Sequence, residues 1–255
     1  MKRIGVLTSG GDTPGMNAAI RAVFKTGVDI DLQVMGIYHG YKGLIEGRVG
    51  YLAHADVESK MHKGGTILRT ARSEEFKTEG GIEKAISVLR AYEIEGLIVI
   101  GGDGSFKGAD ALSKRGIPVI GIPGTIDNDM GYTDFTIGFD TAVNNVMNEI
   151  YKIRDTMRAH DRVGVIEVMG RRCGDIALWA GVAGAADIIL VPERPLSWAD
   201  AANRLAANKL RGQLTSIVMI AEGAGKAEDF CEYVRKYTDV EIKATVLGYI
   251  QRGGN

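Results

Sequence analysis

Two short stretches carry residues whose types and spacing could do chemistry. The first is Gly101-Gly102-Asp103-Gly104-Ser105. Glycines let backbone N–H groups approach a polyphosphate closely, and the N-terminus of a following helix favours anions. Asp103 puts a carboxylate where negative phosphate is expected. That makes sense if Mg²⁺ stands between them, since this ion is commonly held by one or two carboxylates plus phosphate oxygens. Taken alone, the stretch is equally a plain β-to-α turn with an aspartate helix cap. The second is Pro123-Gly124-Thr125-Ile126-Asp127-Asn128-Asp129. Helix capping could explain one Asp there but hardly the whole set. A general base needs a carboxylate held near an acceptor hydroxyl, and a second carboxylate can position metal or water.

The elements that must position these residues follow from hydrophobic pattern. Residues 96–100 form a compact apolar run rich in β-branched side chains, the mark of a buried parallel strand, and 106–114 have helical spacing. The glycines therefore sit where a strand ends and a helix begins, the place where open α/β sheets bind ligands. Residues 4–8 repeat the scheme: a strand, then Ser9-Gly10-Gly11-Asp12-Thr13-Pro14-Gly15, then a helix over 16–25. This is neither GxGxxG nor a P-loop, because no Gly-Lys-Ser/Thr follows. Residues 33–38 read as a strand with a loop at 40–44, and 79–92 as a helix leading into the central strand. Two arginines, Arg69 and Arg72, stand within four residues; arginine suits bidentate phosphate contact, although an arginine pair is usually surface solvation. A strand at 118–121 delivers the Asp127 loop, and 140–158 form a long amphipathic helix. The pattern then restarts, with strands at 163–168, 187–191, 216–221 and 245–250 and helices at 175–183, 197–210 and 227–237. The fold class is α/β, in two similar three-layer αβα domains with mainly parallel sheets. The expected boundaries are 1–138, 139–250, and 251–255 as the start of a return segment.

Composition narrows the function. The chain has 255 residues, 45% of them hydrophobic, 35 glycines and a net charge of -1. That excludes a broad basic field for nucleic acid or an anionic membrane. The cysteines, Cys173 and Cys231, have no CxxC or Cys/His spacing, so neither a disulfide framework nor a zinc site is supported. No run is long enough for a signal peptide or a bilayer span, which makes cytoplasm the expected compartment. A glycine-rich end, Gln251-Arg252-Gly253-Gly254-Asn255, should lead into further chain, so the sequence reads as C-terminally truncated.

The ordered set of Leu7-Thr8-Ser9-Gly10-Gly11-Asp12 with Pro14-Gly15-Met16-Asn17, Gly-Gly-Asp-Gly-Ser at 101–105, Pro-Gly-Thr-Ile-Asp-Asn-Asp at 123–129, Met-Gly-Arg at 169–171 and Gln-Arg-Gly-Gly at 251–254 resembles bacterial ATP-dependent 6-phosphofructokinases over the whole chain. Family members usually continue for several dozen residues more. The resemblance implies transfer of the ATP γ-phosphoryl group to the 1-hydroxyl of fructose 6-phosphate, a reaction that is mostly positioning and charge neutralisation. It implies Gly11, Arg72, Ser73 and Gly102, Asp103, Gly104 and Ser105 at the nucleotide and Mg²⁺ site, with Asp103 on the metal. Asp127 is implied as the base, supported by Asp129, with Thr125 and Arg171 near the transferring group; Gly11 and Arg72 join the catalytic set. Ile126, Met169, Gly170, Glu222, Tyr249 and Arg252 are implied as sugar-phosphate contacts. Arg162 and Lys243 are implied as residues lent by a neighbouring subunit of a homotetramer. A pyrophosphate-using relative is the alternative, opposed by Gly104 and Gly124, where that branch commonly has Asp and Lys; a non-catalytic binder is a further one. Arg is common in the family where Lys243 stands and His where Tyr249 stands, so weaker fructose 6-phosphate binding is expected. Arg21, Lys25, His54, Arg154, Ala185, Asp187, Arg211 and Gln213 resemble an effector site for ADP and phosphoenolpyruvate. His54 and Gln213 replace common basic residues there, implying weakened control that depends on pH through His54.

Overall fold

The computed structural model describes residues 2–253; Met1, and Gly254 and Asn255 of the expected return segment, lie outside the described residues. In chain order the elements are β1 (Arg3–Thr8), α1 (Met16–Asp29), β2 (Gln33–Ile37), α2 (Gly40–Ile45), β3 (Val49–Tyr51), α3 (His54–Val57), α4 (Glu79–Ala91), β4 (Gly96–Gly101), α5 (Asp103–Ser113), β5 (Val119–Thr125) and β6 (Ile137–Gly138). There follow α6 (Phe139–Ala159), β7 (Val163–Val168), α7 (Asp175–Ala183), β8 (Ile188–Leu190), α8 (Trp198–Leu210), β9 (Ser216–Ala221), α9 (Ala227–Tyr237) and β10 (Ile242–Val246). The chain divides into two compact units, one of residues 1–125 with 130–138 and one of 126–129 with 139–253. The loop Ile126–Asp129 thus segregates with the second unit, not with the first as expected from sequence.

The first unit holds a six-stranded sheet in the order β3-β2-β1-β4-β5-β6. All its pairs are parallel except β2 with β3. From β1 the chain runs outward to β2 and then returns to β4 on the other side, so the order reverses between β1 and β4. That reversal is the topological switch point at which open α/β sheets bind ligands. Both faces are covered. Leu97 and Val99 of β4 pack with α2 and α4 on one side. Ile100 packs with Met16, Ile20 and Phe24 of α1 on the other. The alternation along one strand is what period-two geometry requires.

The second unit holds a four-stranded, all-parallel sheet in the order β10-β7-β9-β8. Every residue of β7 and β9 is buried. Ile166, Val168, Ile217 and Met219 join α6 and α7, whereas Val165, Val218 and Ile220 join α8 and α9. The amphipathic helix α6 turns Val143, Val146, Ile150 and Met157 inward, with Ile153 only partly buried. Among the described residues no helix is long and apolar enough to cross a membrane.

Several boundaries differ from the sequence reading. Residues 40–44, read as a loop, are helical. The second strand stops at Ile37, one residue short. β5 runs on to Thr125, and α5 begins at Asp103, so Asp103, Gly104 and Ser105 form its first turn. The last strand is Ile242–Val246, and Gly248–Ile250 form a 3₁₀ turn, not strand. β3 is an antiparallel edge that the sequence did not announce.

Candidate active site

In the first unit, three strand ends converge at the switch point. Parallel register sets Thr8 of β1 beside Ile100 of β4, and Gly101 beside Pro123 of β5. The turns that follow, Ser9–Gly11, Gly101–Ser105 and Thr125, are therefore neighbours. Ser9 N–H donates to the Ile100 carbonyl at 3.0 Å, and Thr70 Oγ1 donates to the Gly10 carbonyl at 2.7 Å, which draws the segment carrying Arg72 to the first turn. Asn17 holds the approach to that segment, accepting from Ile67 N–H and donating to the Lys63 carbonyl, each at 2.8 Å.

The glycines here fall into two kinds. Gly101 is demanded by packing, since a Cβ there would strike Ser9 and Ser105. Gly11 and Gly104 are not: a Cβ on either meets nothing within 4 Å, and neither has a positive φ. Both positions therefore leave the backbone open to close approach. Gly124 is buried, and its Cβ would lie 3.2 Å from an Ile100 side-chain carbon, so a larger residue there requires that neighbour to give way. Ser105 is 3% exposed, and its Oγ is the buried side-chain polar atom that finds no partner among the described residues. Asp103 stands in the first turn of α5, where a carboxylate suits the helix dipole, and pairs with Lys107 Nζ at 2.7 Å. No cluster of three or more His, Cys, Asp or Glu side chains capable of holding a metal occurs among the described residues. A cation at this turn would rest on Asp103 and on oxygens of its ligand. The open space at Gly11 and Gly104 and the orphaned Ser105 hydroxyl fit such a group.

In the second unit the charged residues gather at the carboxyl ends of β7 and β9. Asn128 takes a left-handed conformation, φ 54°, which asparagine tolerates and which turns the chain between Asp127 and Asp129. Its amide donates to Asp175 Oδ2 at 2.9 Å, tying the loop to the start of α7. Burial is the largest cause that lifts the Asp127 carboxyl; the negative charges of Asp129 and Glu222 add to it and Arg171 opposes it, leaving the group at about 6. Arg171 Nε lies 3.9 Å from Glu222 Oε1, with the arginine side chain largely exposed. Gly170 has φ 122° and its Cβ would strike the Cys173 carbonyl, so only glycine shapes the Met169–Arg171 turn. Ile126 turns its side chain into the core beside Phe139 and Ile176, leaving only its backbone for ligand contact.

Arg252 donates to the Gly253 carbonyl at 2.9 Å, and Tyr249 is 84% exposed. Their turn is fixed by Gln251, which sequence reasoning passed over within its own motif. Gln251 is 1% exposed; it accepts from Met169 N–H at 2.8 Å, donates to the Gly248 carbonyl at 2.8 Å, and its carbonyl accepts from Asn145. Arg162 and Lys243 are not brought to these residues. They flank the opposite end of β7 and β10, where Lys243 registers with Gly164 and Arg162 pairs with Glu241 at 2.5 Å. The six residues of β7 put about 20 Å between the two ends.

The residues read as an effector site are divided between the two units. In the first unit Arg21 and Lys25 each lie 3.3 Å from Glu58, with His54 Nδ1 3.5 Å from Lys25 Nζ. Glu58, which no motif signalled, is held below the usual carboxylate range by those two cations. In the second unit Arg154 donates to the Gly184 and Ala185 carbonyls. Asp187 accepts from Gln213 at 2.6 Å and from Ile217 N–H at 2.7 Å, and Arg211 Nε turns back to the Ala207 carbonyl of its own helix.

Comparison with known proteins places this geometry. The family model described as Phosphofructokinase matches residues 3–255. An ATP-dependent 6-phosphofructokinase of Clostridium botulinum strain Hall is 54% identical over 255 residues, all of this chain and 80% of that protein. Among solved structures, the phosphofructokinase of Saccharomyces cerevisiae superposes with a TM-score of 0.91 at 37% identity, over 100% of this chain and 39% of its own. The T-state phosphofructokinase of Pichia pastoris gives 0.93 at 36%, over 99% of this chain and 30% of its own.

Proposed function

The chain belongs to the phosphofructokinase family, and on that premise we propose that it transfers the γ-phosphoryl group of ATP to the 1-hydroxyl of fructose 6-phosphate, giving fructose 1,6-bisphosphate and ADP. The observation that carries the reading is the state of Asp127, a half-buried carboxyl lifted to about 6 by burial and two neighbouring carboxylates. A base works best when its pKa lies near the operating pH. Asp127 takes the proton of the attacking sugar hydroxyl. Asp129 and Glu222 raise its affinity for that proton, and Arg171 stabilises charge on the transferring group.

On the donor side, the backbone amides of Gly11 and Gly102–Ser105 bind the polyphosphate, and Arg72 adds a bidentate contact. Asp103 would hold Mg²⁺ in concert with phosphate oxygens, and the ion when bound neutralises charge on the phosphates. Gly104 leaves room for the length of ATP, which favours it over pyrophosphate. Met169, Gly170, Glu222 and Arg252 bind the sugar phosphate. Arg162 and Lys243, set at the far end of their sheet, serve the site of an adjoining subunit in a homotetramer. The two basic groups around Glu58 and Asp187 receive ADP or phosphoenolpyruvate as effectors, with Glu58 and Asp187 holding the cations and Gln213 when no effector is bound. The enzyme works in the cytoplasm.

The test is a coupled assay with fructose 6-phosphate and ATP, pyrophosphate or no donor. Turnover with ATP alone is the expected result. Turnover with pyrophosphate, or binding of both substrates without turnover, would overturn it.

A further inference from the structure

The turn between β9 and α9, which carries Glu222, is held by a buried carboxyl group with no role in the account above. Glu167, on β7, is 6% exposed. By period two it faces the same side as Val163 and Val165, which pack with α8 and α9. Valine would continue that face, and a carboxyl group placed there is costly unless bonded. Its Oε2 accepts from Ala227 N–H at 2.8 Å, and its Oε1 lies 3.6 Å from Lys226 Nζ. Ala227 opens α9, so Glu167 caps that helix from a neighbouring strand, 60 positions away in sequence. Other caps in the chain are local: Thr78 accepts from Gly81 N–H at the start of α4, and Ser197 from Asp200 N–H at the start of α8. Lys226, which stands at that place on α9, makes no such bond.

The remote cap closes a circuit of bonds. Where the turn leaves β9, Glu222 N–H donates to the Val168 carbonyl at 2.9 Å and Gly223 N–H to the Gly170 carbonyl at 3.2 Å. Gly223 lies so close to the Arg171 carbonyl that a Cβ would strike it, and Gly225, with φ 142°, lies against Trp198. Where the turn enters α9, Glu167 holds it again. Both ends of the Glu222 turn are therefore tied to one stretch, Glu167–Gly170. We propose that Glu167 is a positioning residue for the acceptor site, fixing the Glu222 turn against the Met169–Arg171 turn by capping α9 from β7. This rests on the sugar-phosphate role given to Glu222 under Proposed function. A local cap would hold the helix alone. This one holds the helix to the strand whose end carries the other acceptor contacts, so the two turns present their groups together, without reorganising as the sugar phosphate arrives.

The test is Glu167→Gln in the full chain, alone and combined with Glu222→Gln, read by fructose 6-phosphate affinity in calorimetry and by steady-state kinetics. The amide is a weaker acceptor than the carboxylate, so Kd and KM for fructose 6-phosphate should rise about 3–5-fold. Glu167→Val, which removes the acceptor outright, should raise them about tenfold. The ATP KM stays within about twofold in both, because the contact acts on the acceptor alone. In the Glu222→Gln background Glu167→Gln adds less than about twofold, because the group it positions is already gone. Phe230→Leu, in the core beneath α9, lowers Tm without this signature. An unmoved fructose 6-phosphate Kd in Glu167→Gln, equal rises for both substrates, or effects that multiply in the double variant would overturn the proposal. A fructose 6-phosphate Kd unmoved by Glu222→Gln would overturn the acceptor reading as well; a Kd raised by Glu222→Gln and unmoved by Glu167→Gln overturns this inference alone.

Discussion

The turns at the strand ends of the two units are equipped by opposite means. In the first unit the equipment is mostly missing side chains: Gly11 and Gly104 leave open space, Ser105 keeps an unbonded hydroxyl, and Asp103 is the one carboxylate of its turn. In the second the equipment is charge, with Asp129 and Glu222 close enough to Asp127 to help raise its carboxyl and Arg171 beside them. Backbone amides bind without titrating, so the first turn should depend little on pH. The Asp127 carboxyl, lifted to about 6, changes charge near neutrality, so the second should depend on it strongly. Binding by shape and reaction by charge are thus separable by substitution.

The largest effect is expected at Asp127. Asp127→Asn should lower kcat by roughly 10²–10⁴ and yet stabilise the protein. Its folded-state carboxyl lies above the ordinary value of 3.8, so the native state binds more protons and stability falls as pH rises from about 4 to 6. Removing the ionised group at pH 7 should return about 1 kcal/mol once partial exposure is discounted, or roughly 3 °C in Tm by calorimetry. A Tm that falls would break the contrast, because it would make Asp127 a structural anchor.

Next in size is Gly104→Asp. The site is open to a Cβ, and an acid in the first turn of a helix suits the dipole, so Tm should hold or rise slightly. Like charge against the polyphosphate should raise the ATP KM by roughly 10²-fold. Unchanged ATP kinetics would show that the space at Gly104 is not where the donor lies. A smaller effect is expected from Lys243→Arg with Tyr249→His. Gain of the planar fork should lower the fructose 6-phosphate KM about 3–10-fold, with the ATP KM unmoved; equal KM values in variant and parent would refute the expectation of weakened sugar binding. Smallest is Glu58→Gln, which frees Arg21 and Lys25. It should tighten phosphoenolpyruvate inhibition about two- to fivefold, measured by titrating activity at pH 7; no tightening would remove Glu58 from the effector account.

The same contrast explains what could be read in the sequence. Glycine turns announce themselves because each follows an apolar β-branched run, as at residues 96–100, and strand ends are where such turns belong. The Asp127 loop stood out by density of polar types. Helix α2 did not, because Gly40 and Gly43 carry poor helix propensity; burial of Tyr41 and Leu44 makes it helical, and Gly43 is needed where a Cβ would strike the Tyr38 carbonyl. The last strand was misplaced because the apolar run at 245–250 looks extended, whereas Ile242, isolated between charges, is the residue that packs in the core. Glu58 and Tyr41 reach partners 33 and 64 positions away in sequence, and no local pattern marks them; Gln251 stands within the Gln-Arg-Gly-Gly motif, but its bond to Met169, 82 positions away, is not legible from that motif.

The proposed role of Asp127 as base requires it to be ionised, and the dependence of kcat/KM for fructose 6-phosphate on pH at saturating ATP reads that directly. A rising limb of unit slope with its midpoint near pH 6, moved to lower pH in Glu222→Gln as one of the two raising charges is removed, is the predicted result. A profile flat from pH 5 to 8, or a midpoint that ignores Glu222, would contradict it.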